Sequence, residues 1–359
     1  MKAILMLEDG KSFSGCALSG PQEEIGELIL NTAVVGYQEM VTDPANAGKI
    51  LVLTYPLIGN YGCAQKFDES KKVWLAGLII KENSAIFSNW QGQESFIHFA
   101  KRHNLLVMSA VDTRTLAVHL RQKGQMLGMI STRCFIAKEL SAKIENFSQH
   151  KKESLLADIS VNKPTLLGSK KAKRKIAVLD LGITKSIIRQ IEKLGLSLTL
   201  LPYNTPAQDI LRLKPHGLII SGGPEEDPGL EVVVDNIRQL VGKIPILGIA
   251  TGHQILAVAV GAKISKLKLG HRGVNYPVHN PASYKCEITV QNHSQVVESA
   301  SLAAIKNVQI TASNLNDRTI EEMESKKLKL LGVQYNPVSP GFAEVHEIFK
   351  RFLKILGRS

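Results

Sequence analysis

The second half of the chain alternates strand-like and helix-like segments, and this alternation restricts the fold more than any other feature. The predicted strands lie at 175–180, 196–201, 217–221 and 244–248, and the predicted helices at 184–194, 207–213 and 254–260. Strands that alternate with helices predict an α/β fold with a doubly wound parallel sheet. A ligand site in such a fold lies at the carboxyl ends of the strands, and functional residues are expected there.

The first half of the chain is organised differently. Residues 1–147 mix short apolar segments with many turn signals, such as Asp9-Gly10, and predict a mixed α/β domain. Residues 148–174 are polar and rich in lysine. We therefore predict a basic linker over 148–174 and the doubly wound domain over 175–359.

The net charge of +12 raises nucleic acid as a possible partner. Part of the excess lies in residues 170–175, which we interpret as a solvated linker. No RNA-binding aromatic signature accompanies this run, and aromatic residues are only 5% of the chain, so nucleic-acid binding is disfavoured. No apolar run approaches the roughly 18 residues that span a bilayer. We expect a cytoplasmic protein without a membrane partner.

The cysteines are scattered along the chain and do not form a metal-binding pattern. They are Cys16, Cys63, Cys134 and Cys286. None belongs to a CxxC pair or has histidines beside it at metal-ligand spacing, so we predict no metal site. Buried or half-buried free thiols are the expectation for all four.

Residues 248–252 read Gly-Ile-Ala-Thr-Gly, which has the form of a nucleophile elbow. In such an elbow a sharp strand-to-helix turn lifts one side chain above the sheet, and the glycines allow the crowded backbone geometry. The start of the following helix stabilises a thiolate and offers amide donors to an oxyanion. The apex here is Ala250, whose side chain has no nucleophilic atom.

Further motifs follow in order along nearly the whole chain. In the first domain they are Leu7-Glu8-Asp9-Gly10, Asn31-Thr32, Gly36-Tyr37-Gln38-Glu39, Thr42-Asp43-Pro44, Leu53-Thr54-Tyr55-Pro56, Ile58-Gly59-Asn60 and Asp112-Thr113-Arg114. In the second they are Asp180 with Gly182 and Lys185, Gly252-His253-Gln254, Gly261-Ala262-Lys263, Gly270-His271-Arg272-Gly273 and Gln291-Asn292-His293. In this order the sequence resembles the small, glutamine amidotransferase subunit of carbamoyl phosphate synthetase. The resemblance implies a small-subunit N-terminal domain followed by a flavodoxin-like class I glutaminase domain.

The resemblance also implies a mechanism whose catalytic side chains are absent from this chain. In the family an elbow cysteine attacks the glutamine amide, and a histidine backed by a glutamate transfers protons. Those three positions are Ala250, Asn336 and Val338 here. Without a thiol no thioester forms, asparagine cannot exchange a proton near neutral pH as imidazole can, and valine cannot orient an imidazole. We therefore predict that the chain does not hydrolyse glutamine.

The glutamine-binding positions implied by the resemblance are also altered. They are Ala45, Gly223, Glu225, Thr251, Gln254, Asn292, Ser294 and Gln295. Gln254 and Asn292 remain as in the family, whereas Glu225 replaces a glycine. A carboxylate at that position is expected to repel the carboxylate of glutamine or an oxyanion. The pocket is thus predicted to be vestigial, with residual glutamine as a possible ligand.

No other residue is a good candidate to replace the lost groups. His253, His271 and His293 are expected to be structural. His346 is expected on the solvated face of a C-terminal helix, and Cys286 is expected to be a core thiol.

Two functions remain in view. The first is a structural or regulatory small subunit that binds the large subunit of carbamoyl phosphate synthetase. In the family the large subunit binds ATP and magnesium and makes carbamoyl phosphate for arginine or pyrimidine synthesis, so no cofactor is expected on this chain. Here it would use free ammonia. The second is a non-catalytic amino-acid-binding or scaffold module with a different partner.

Overall fold

The chain forms two units in the computed structural model, which describes residues 1–150, 153–168, 172, 174–282, 285–338 and 344–357. Unit 1 comprises residues 1–152 and 268–272, and unit 2 comprises 153–267 and 273–359. No helix in the described part of the chain combines the length and the apolar character needed to cross a membrane. The lysines of the basic run at 170, 171 and 173 lie outside the described residues.

Unit 1 contains nine strands and four α-helices among its described residues. The strands are β1 (Lys2–Leu7), β2 (Ser12–Ser19), β3 (Glu23–Asn31), β4 (Ile50–Leu53), β5 (Leu57–Ile58), β6 (Gly77–Ile79), β7 (Glu82–Asn83), β8 (Leu106–Ser109) and β9 (Leu127–Ser131). The helices are α1 (Tyr37–Thr42), α2 (Phe96–Arg102), α3 (Thr113–Lys123) and α4 (Ala137–Gln149), with 3₁₀ turns at Pro44–Asn46 and Gln65–Phe67.

Seven of these strands close into a barrel in the order β1-β2-β8-β6-β4-β3-β9, and β5 pairs with β7. Successive side chains of a strand point to opposite faces, so each barrel strand has an inner face and an outer face. One face of every barrel strand supplies a single cluster that includes Leu5, Leu28 and Met108. The opposite face of β3, β4, β6 and β8 packs against Tyr37 of α1 and Phe96 of α2. The predicted mixed α/β domain is therefore a barrel flanked by helices.

Unit 2 contains ten strands and seven α-helices among its described residues. The strands are β10 (Thr165–Leu167), β11 (Lys175–Asp180), β12 (Ser197–Pro202), β13 (Gly217–Ile220), β14 (Ile246–Ile249), β15 (Ile264–Asn280, part of which lies in unit 1), β16 (Lys285–Val297), β17 (Gln309–Asn314), β18 (Ile320–Ser325) and β19 (Leu330–Val333). The helices are α5 (Leu156–Ile159), α6 (Lys185–Lys193), α7 (Ala207–Arg212), α8 (Leu230–Leu240), α9 (Thr251–Ala259), α10 (Ser299–Ala303) and α11 (Glu347–Ile355).

The sheet of unit 2 has the order β10-β12-β11-β13-β14-β19-β18-β17-β15-β16. Strands β12, β11, β13, β14 and β19 are parallel. Leu179 of β11 faces a core with Ile237 of α8, whereas the next residue back, Val178, faces the other core with Ile191 of α6 and Phe352 of α11. The predicted doubly wound fold is confirmed, and helices cover both faces of its parallel strands.

The segment 148–174, which we expected to be a linker, is partly folded into unit 2. Its residues 165–167 form β10 and pair with β12 in an antiparallel register, from Thr165 with Leu200 to Leu167 with Leu198. Leu156 is fully buried in the core of unit 2. These contacts were not predicted, because the segment is polar and its partners lie elsewhere in the chain.

Candidate functional site

The turn after β14 has the geometry of a nucleophile elbow. Ala250 lies between β14 and α9 with φ 50° and ψ −113°, a conformation that non-glycine residues rarely adopt. A Cβ on Gly248 would lie 2.4 Å from the carbonyl oxygen of Gly252, and a Cβ on Gly252 would lie 2.2 Å from that of Ile220. Both glycines are therefore required by close backbone contacts, and these contacts force the sharp turn.

Hydrogen bonds hold the apex of the elbow in place. The amide of Ala250 donates to the carbonyl oxygen of Val333 at 2.8 Å, and its own carbonyl accepts from the amide of His253 at 2.9 Å. The side chain at the apex is a methyl group, and the residue is buried. The backbone of the elbow is present, but its apex cannot attack a substrate.

Asn336 and Val338, which the resemblance puts at the other two catalytic positions, follow the neighbouring strand β19. Strands β14 and β19 are parallel with Ile249 opposite Val333, so Ala250 and Asn336 both follow the carboxyl ends of adjacent strands. The amide of Asn336 donates to the carbonyl of Val290 at 2.9 Å, and the amide of Val338 donates to the carbonyl of Asn336 at 2.8 Å. The first of these hydrogen bonds holds Asn336 beside β16 through its backbone.

Glu225 lies in the loop after β13 and is buried, with 6% of its surface exposed. Its Oε1 accepts from Nε2 of Gln254 at 2.7 Å and from the amide of Gln295 at 3.2 Å. Its Oε2 accepts from the amide of Ser294 at 2.6 Å. We call these three donors the amide cradle. The carboxylate of Glu225 thus occupies donors carried by three of the predicted glutamine-binding residues. The repulsion expected from Glu225 stays a prediction.

A series of buried polar contacts connects the amide cradle to Glu321. Nδ1 of His293 lies 3.0 Å from the carbonyl oxygen of Gln295, and Nε2 of His293 lies 2.8 Å from Oε1 of Gln291. Nε2 of Gln291 donates to Glu321 at 2.8 Å. Burial raises the pKa of Glu321 to about 7, against the hydrogen bonds from Gln291 and Asn314, which lower it. The sequence did not single out Glu321, and no local motif marks it.

Two further predicted binding residues border the elbow. The hydroxyl of Thr251 donates to the carbonyl oxygen of Gly223 at 2.6 Å. A Cβ on Gly223 would lie 2.0 Å from the carbonyl oxygen of Leu181, so only glycine fits there. These contacts join the loop after β13 to the first turn of α9.

The remaining predicted binding residues are Asn292 and Ala45. Asn292 lies on β16 between the buried residues Gln291 and His293 and is partly exposed itself. Ala45 belongs to unit 1, in the 3₁₀ turn Pro44–Asn46, where its amide donates to Oδ1 of Asp43 at 2.9 Å.

His253 follows the elbow and is fully buried. Burial lowers its pKa to about 3, so the imidazole is neutral at physiological pH. A Cβ on Gly332 would lie 2.5 Å from Nδ1 of His253, so the ring packs directly on β19. This is the structural role expected for it.

The expectations for His346 and Cys286 are wrong. His346 is buried, and it begins α11 as its N-cap because its Nδ1 accepts from the amide of Ile348 at 3.2 Å. Its Nε2 lies 2.9 Å from Oε1 of Glu287. Cys286 is exposed on β16 rather than part of the core. Of the other cysteines, Cys63 is buried and Cys16 is exposed.

Comparison with known proteins identifies relatives over the whole chain. Residues 5–130 match the family model of the carbamoyl-phosphate synthase small chain, CPSase domain, and residues 177–355 match that of class I glutamine amidotransferases. The carbamoyl phosphate synthase small chain of Chlorobaculum tepidum is 37% identical over 99% of this chain and 98% of its own length. The small chain of Syntrophotalea carbinolica is 37% identical over 100% and 99%, and that of Caldanaerobacter subterraneus is 36% identical over 99% and 97%.

Proposed function

This chain belongs to the carbamoyl phosphate synthase small-chain family, and we propose that it is a small subunit that does not hydrolyse glutamine. Its role in this proposal is structural or regulatory. The large subunit is its partner, and that subunit takes free ammonia from solution.

The observation that carries the proposal is Ala250 at the apex of the elbow. Attack on the glutamine amide requires a nucleophilic atom at that apex, and the apex carries a methyl group. The strained turn around Ala250, with its two closely packed glycines, supports the position that the resemblance implies for the catalytic residue.

The residues that follow β19 support the same proposal. Asn336 is neutral at every accessible pH and cannot take a proton from a nucleophile or return it to departing ammonia. Val338 offers no acceptor that could orient a histidine or stabilise its charged form. Rescue by one neighbouring group would therefore leave two further functions unfilled.

A surface of unit 1 is suited to a protein partner. Residues 84–94 form a loop in which Ile86 is 80% exposed and Trp90 is 90% exposed. The loop is anchored at both ends, since the amide of Ser84 donates to the carbonyl of Ile58 and the amide of Cys63 donates to the carbonyl of Glu94. Large apolar side chains held outward on an anchored loop are typical of protein interfaces.

In this proposal the role of the large subunit, the pathway and the compartment are those of the family. The large subunit binds ATP and magnesium and forms carbamoyl phosphate for arginine or pyrimidine synthesis, and the complex is cytoplasmic. No cofactor is required on the small chain.

Reconstitution with the cognate large subunit tests the proposal. Carbamoyl phosphate formation is measured with glutamine and with ammonium as the nitrogen source, with the large subunit alone as the control. We expect the chain to bind the large subunit and to alter the ammonium-dependent rate, with no glutamine-dependent synthesis above background. Glutamine-dependent synthesis would overturn the loss of hydrolysis, and failure to associate would overturn the subunit role.

A further inference from the structure

We propose that Glu225 acts as an internal ligand: its carboxylate fills a carboxylate-binding site formed by the amide cradle and excludes small carboxylates, including amino acids, from it. The inference rests on the proposed function and deepens it, because a chain that does not hydrolyse glutamine has no need to admit it. It also disfavours an amino-acid-binding role for the chain as it stands.

The geometry around Glu225 is that of a bound carboxylate rather than of a surface side chain. One oxygen accepts from Ser294 at 2.6 Å, and the other accepts from Gln254 at 2.7 Å and from Gln295 at 3.2 Å. Two of the three donors are backbone amides of adjacent residues in β16. Adjacent amides and a side-chain amide that converge on both oxygens match the planar, two-oxygen shape of a carboxylate.

Burial makes this arrangement specific. Ser294 and Gln254 are 1% and 2% exposed, so their donors are shielded from water. A buried donor without an acceptor is unfavourable, and so is a buried carboxylate without donors. Each therefore stabilises the other, and an empty cradle would favour any carboxylate small enough to enter.

The cradle is built independently of Glu225. Nε2 of Gln254 also donates to the carbonyl of Gln295 at 3.0 Å and lies 3.4 Å from Oε1 of Gln334. Nδ1 of His293 lies 3.0 Å from the same carbonyl oxygen of Gln295. These contacts remain when the side chain of Glu225 is removed, so the donors stay positioned for a free ligand.

A purely structural role of Glu225 is the competing explanation. In that case the carboxylate only ties the loop after β13 to β16, and a free carboxylate could not restore what the covalent tie supplies. Chemical rescue separates the two explanations, because an internal ligand can be replaced by an external one of the same chemistry.

The test compares wild type, Glu225→Ala and Glu225→Gln by thermal unfolding in sodium propionate at about 100 mM, with sodium chloride and propionamide as matched controls. We expect propionate to raise the Tm of Glu225→Ala by about 2–4 °C relative to chloride, and not that of wild type or of Glu225→Gln, whose side chain still fills the space. Calorimetry with propionate, L-glutamate and L-glutamine then defines which carboxylates enter. An equal effect of propionate on all three proteins, or none on a folded Glu225→Ala, would overturn the proposal.

If Glu225→Ala does not fold, Glu225→Gln tests the cradle by amide hydrogen exchange. In Glu225→Gln the side-chain amide has only one acceptor oxygen, and its other end is an NH2 donor. The backbone amide of either Ser294 or Gln295 then faces that donor instead of an acceptor. We expect one of these two amides to exchange at least about tenfold faster than in wild type, with Val297 on the same strand unchanged. Unchanged exchange at both amides would overturn the proposal.

These readouts are independent of glutamine turnover. Failure of rescue leaves Ala250, Asn336 and Val338 as the basis of the proposed function, whereas glutamine-dependent synthesis in the reconstituted complex would remove that function without changing the rescue result.

Discussion

The side-chain amide of Gln254 donates to the carboxylate of Glu225 at 2.7 Å, with both residues buried. The resemblance implies that Gln254 keeps the family residue and that Glu225 replaces a glycine. In the proposed function the site therefore combines two separate changes, the absence of reacting groups at the elbow and the occupation of donors beside it.

Restoring the nucleophile alone is not expected to restore hydrolysis. The variant Ala250→Cys places a thiol at the apex, but Asn336 cannot exchange its proton and Glu225 still fills the cradle. We expect glutamate release to stay at background. The variant that combines Ala250→Cys, Asn336→His, Val338→Glu and Glu225→Gly is expected to exceed it by about tenfold or more.

A glutaminase assay on the isolated proteins measures this difference. The combination that lacks only Glu225→Gly is the matched control and reports the separate effect of the cradle. Hydrolysis by Ala250→Cys at the rate of the combined variant would show that neither the base positions nor Glu225 limits the reaction.

The elbow backbone is strained, and glycine at its apex should relieve the strain. Ala250 has φ 50° and ψ −113°, a conformation that costs a non-glycine residue about 1–3 kcal/mol. Glycine adds roughly 0.5–1 kcal/mol of unfolded-state entropy, so we expect Ala250→Gly to stabilise unit 2 by about 1 kcal/mol. Urea unfolding measures the change. The control Ala300→Gly, at an exposed position of α10, should destabilise by about 0.5–1 kcal/mol, and a loss at both positions would contradict the strain.

His253 should make stability depend on acid. Its pKa is lowered by burial from 6.5 to about 3 in the folded state, so between these values the unfolded chain binds a proton that the folded chain does not. The stability that the neutral ring contributes is complete above about pH 6.5 and falls as pH decreases, by roughly 3 kcal/mol at about pH 4.

Urea unfolding of wild type and His253→Gln across this pH range tests the expectation. The difference in free energy of unfolding between the two proteins should shrink as the pH falls, even if the variant is less stable throughout. A difference that stays constant from about pH 7 to about pH 4 would contradict the lowered pKa. It would show that His253 takes up its proton in the folded state at the same pH as in the unfolded state.

Trp90 should contribute to the affinity for the large subunit without contributing to the fold. Its ring is 90% exposed and lies near Nζ of Lys66, which is 5.4 Å from the ring centroid. We expect Trp90→Ala to weaken association with the large subunit by about tenfold or more and to leave the Tm unchanged. Leu213→Ala, an exposed apolar position of unit 2, is the control. Equal affinity of Trp90→Ala and wild type in surface plasmon resonance would exclude the loop from the interface.

Local signals predicted the parts of the structure that local chemistry determines. Gly248 and Gly252 predicted the elbow, because each packs so closely against neighbouring backbone that a side chain would not fit. The strands β11, β12, β13 and β14 and the helices α6, α7 and α9 of unit 2 were predicted from their apolar rhythm. Capping residues also delimit helix α3, which starts after Asp112, whose carboxylate caps it, and ends before Gly124.

Long-range pairings were not predictable in the same way. Glu225 meets donors 69 and 70 residues away, and nothing near it in sequence marks them. His346 was misplaced because it precedes α11 as its N-cap and its ring contacts Glu287 of the distant strand β16. The strand β10 was missed for the same reason, since its partner β12 supplies the pairing that its own composition does not suggest.

The contacts of Gly248 and Gly252 separate the shape of the elbow from its reactivity. The closest contacts of both glycines are with the backbone of β13 and of the first turn of α9, so the apex side chain takes no part in them. The outline of the elbow is therefore no measure of whether a chain with this turn carries a reactive group at its apex.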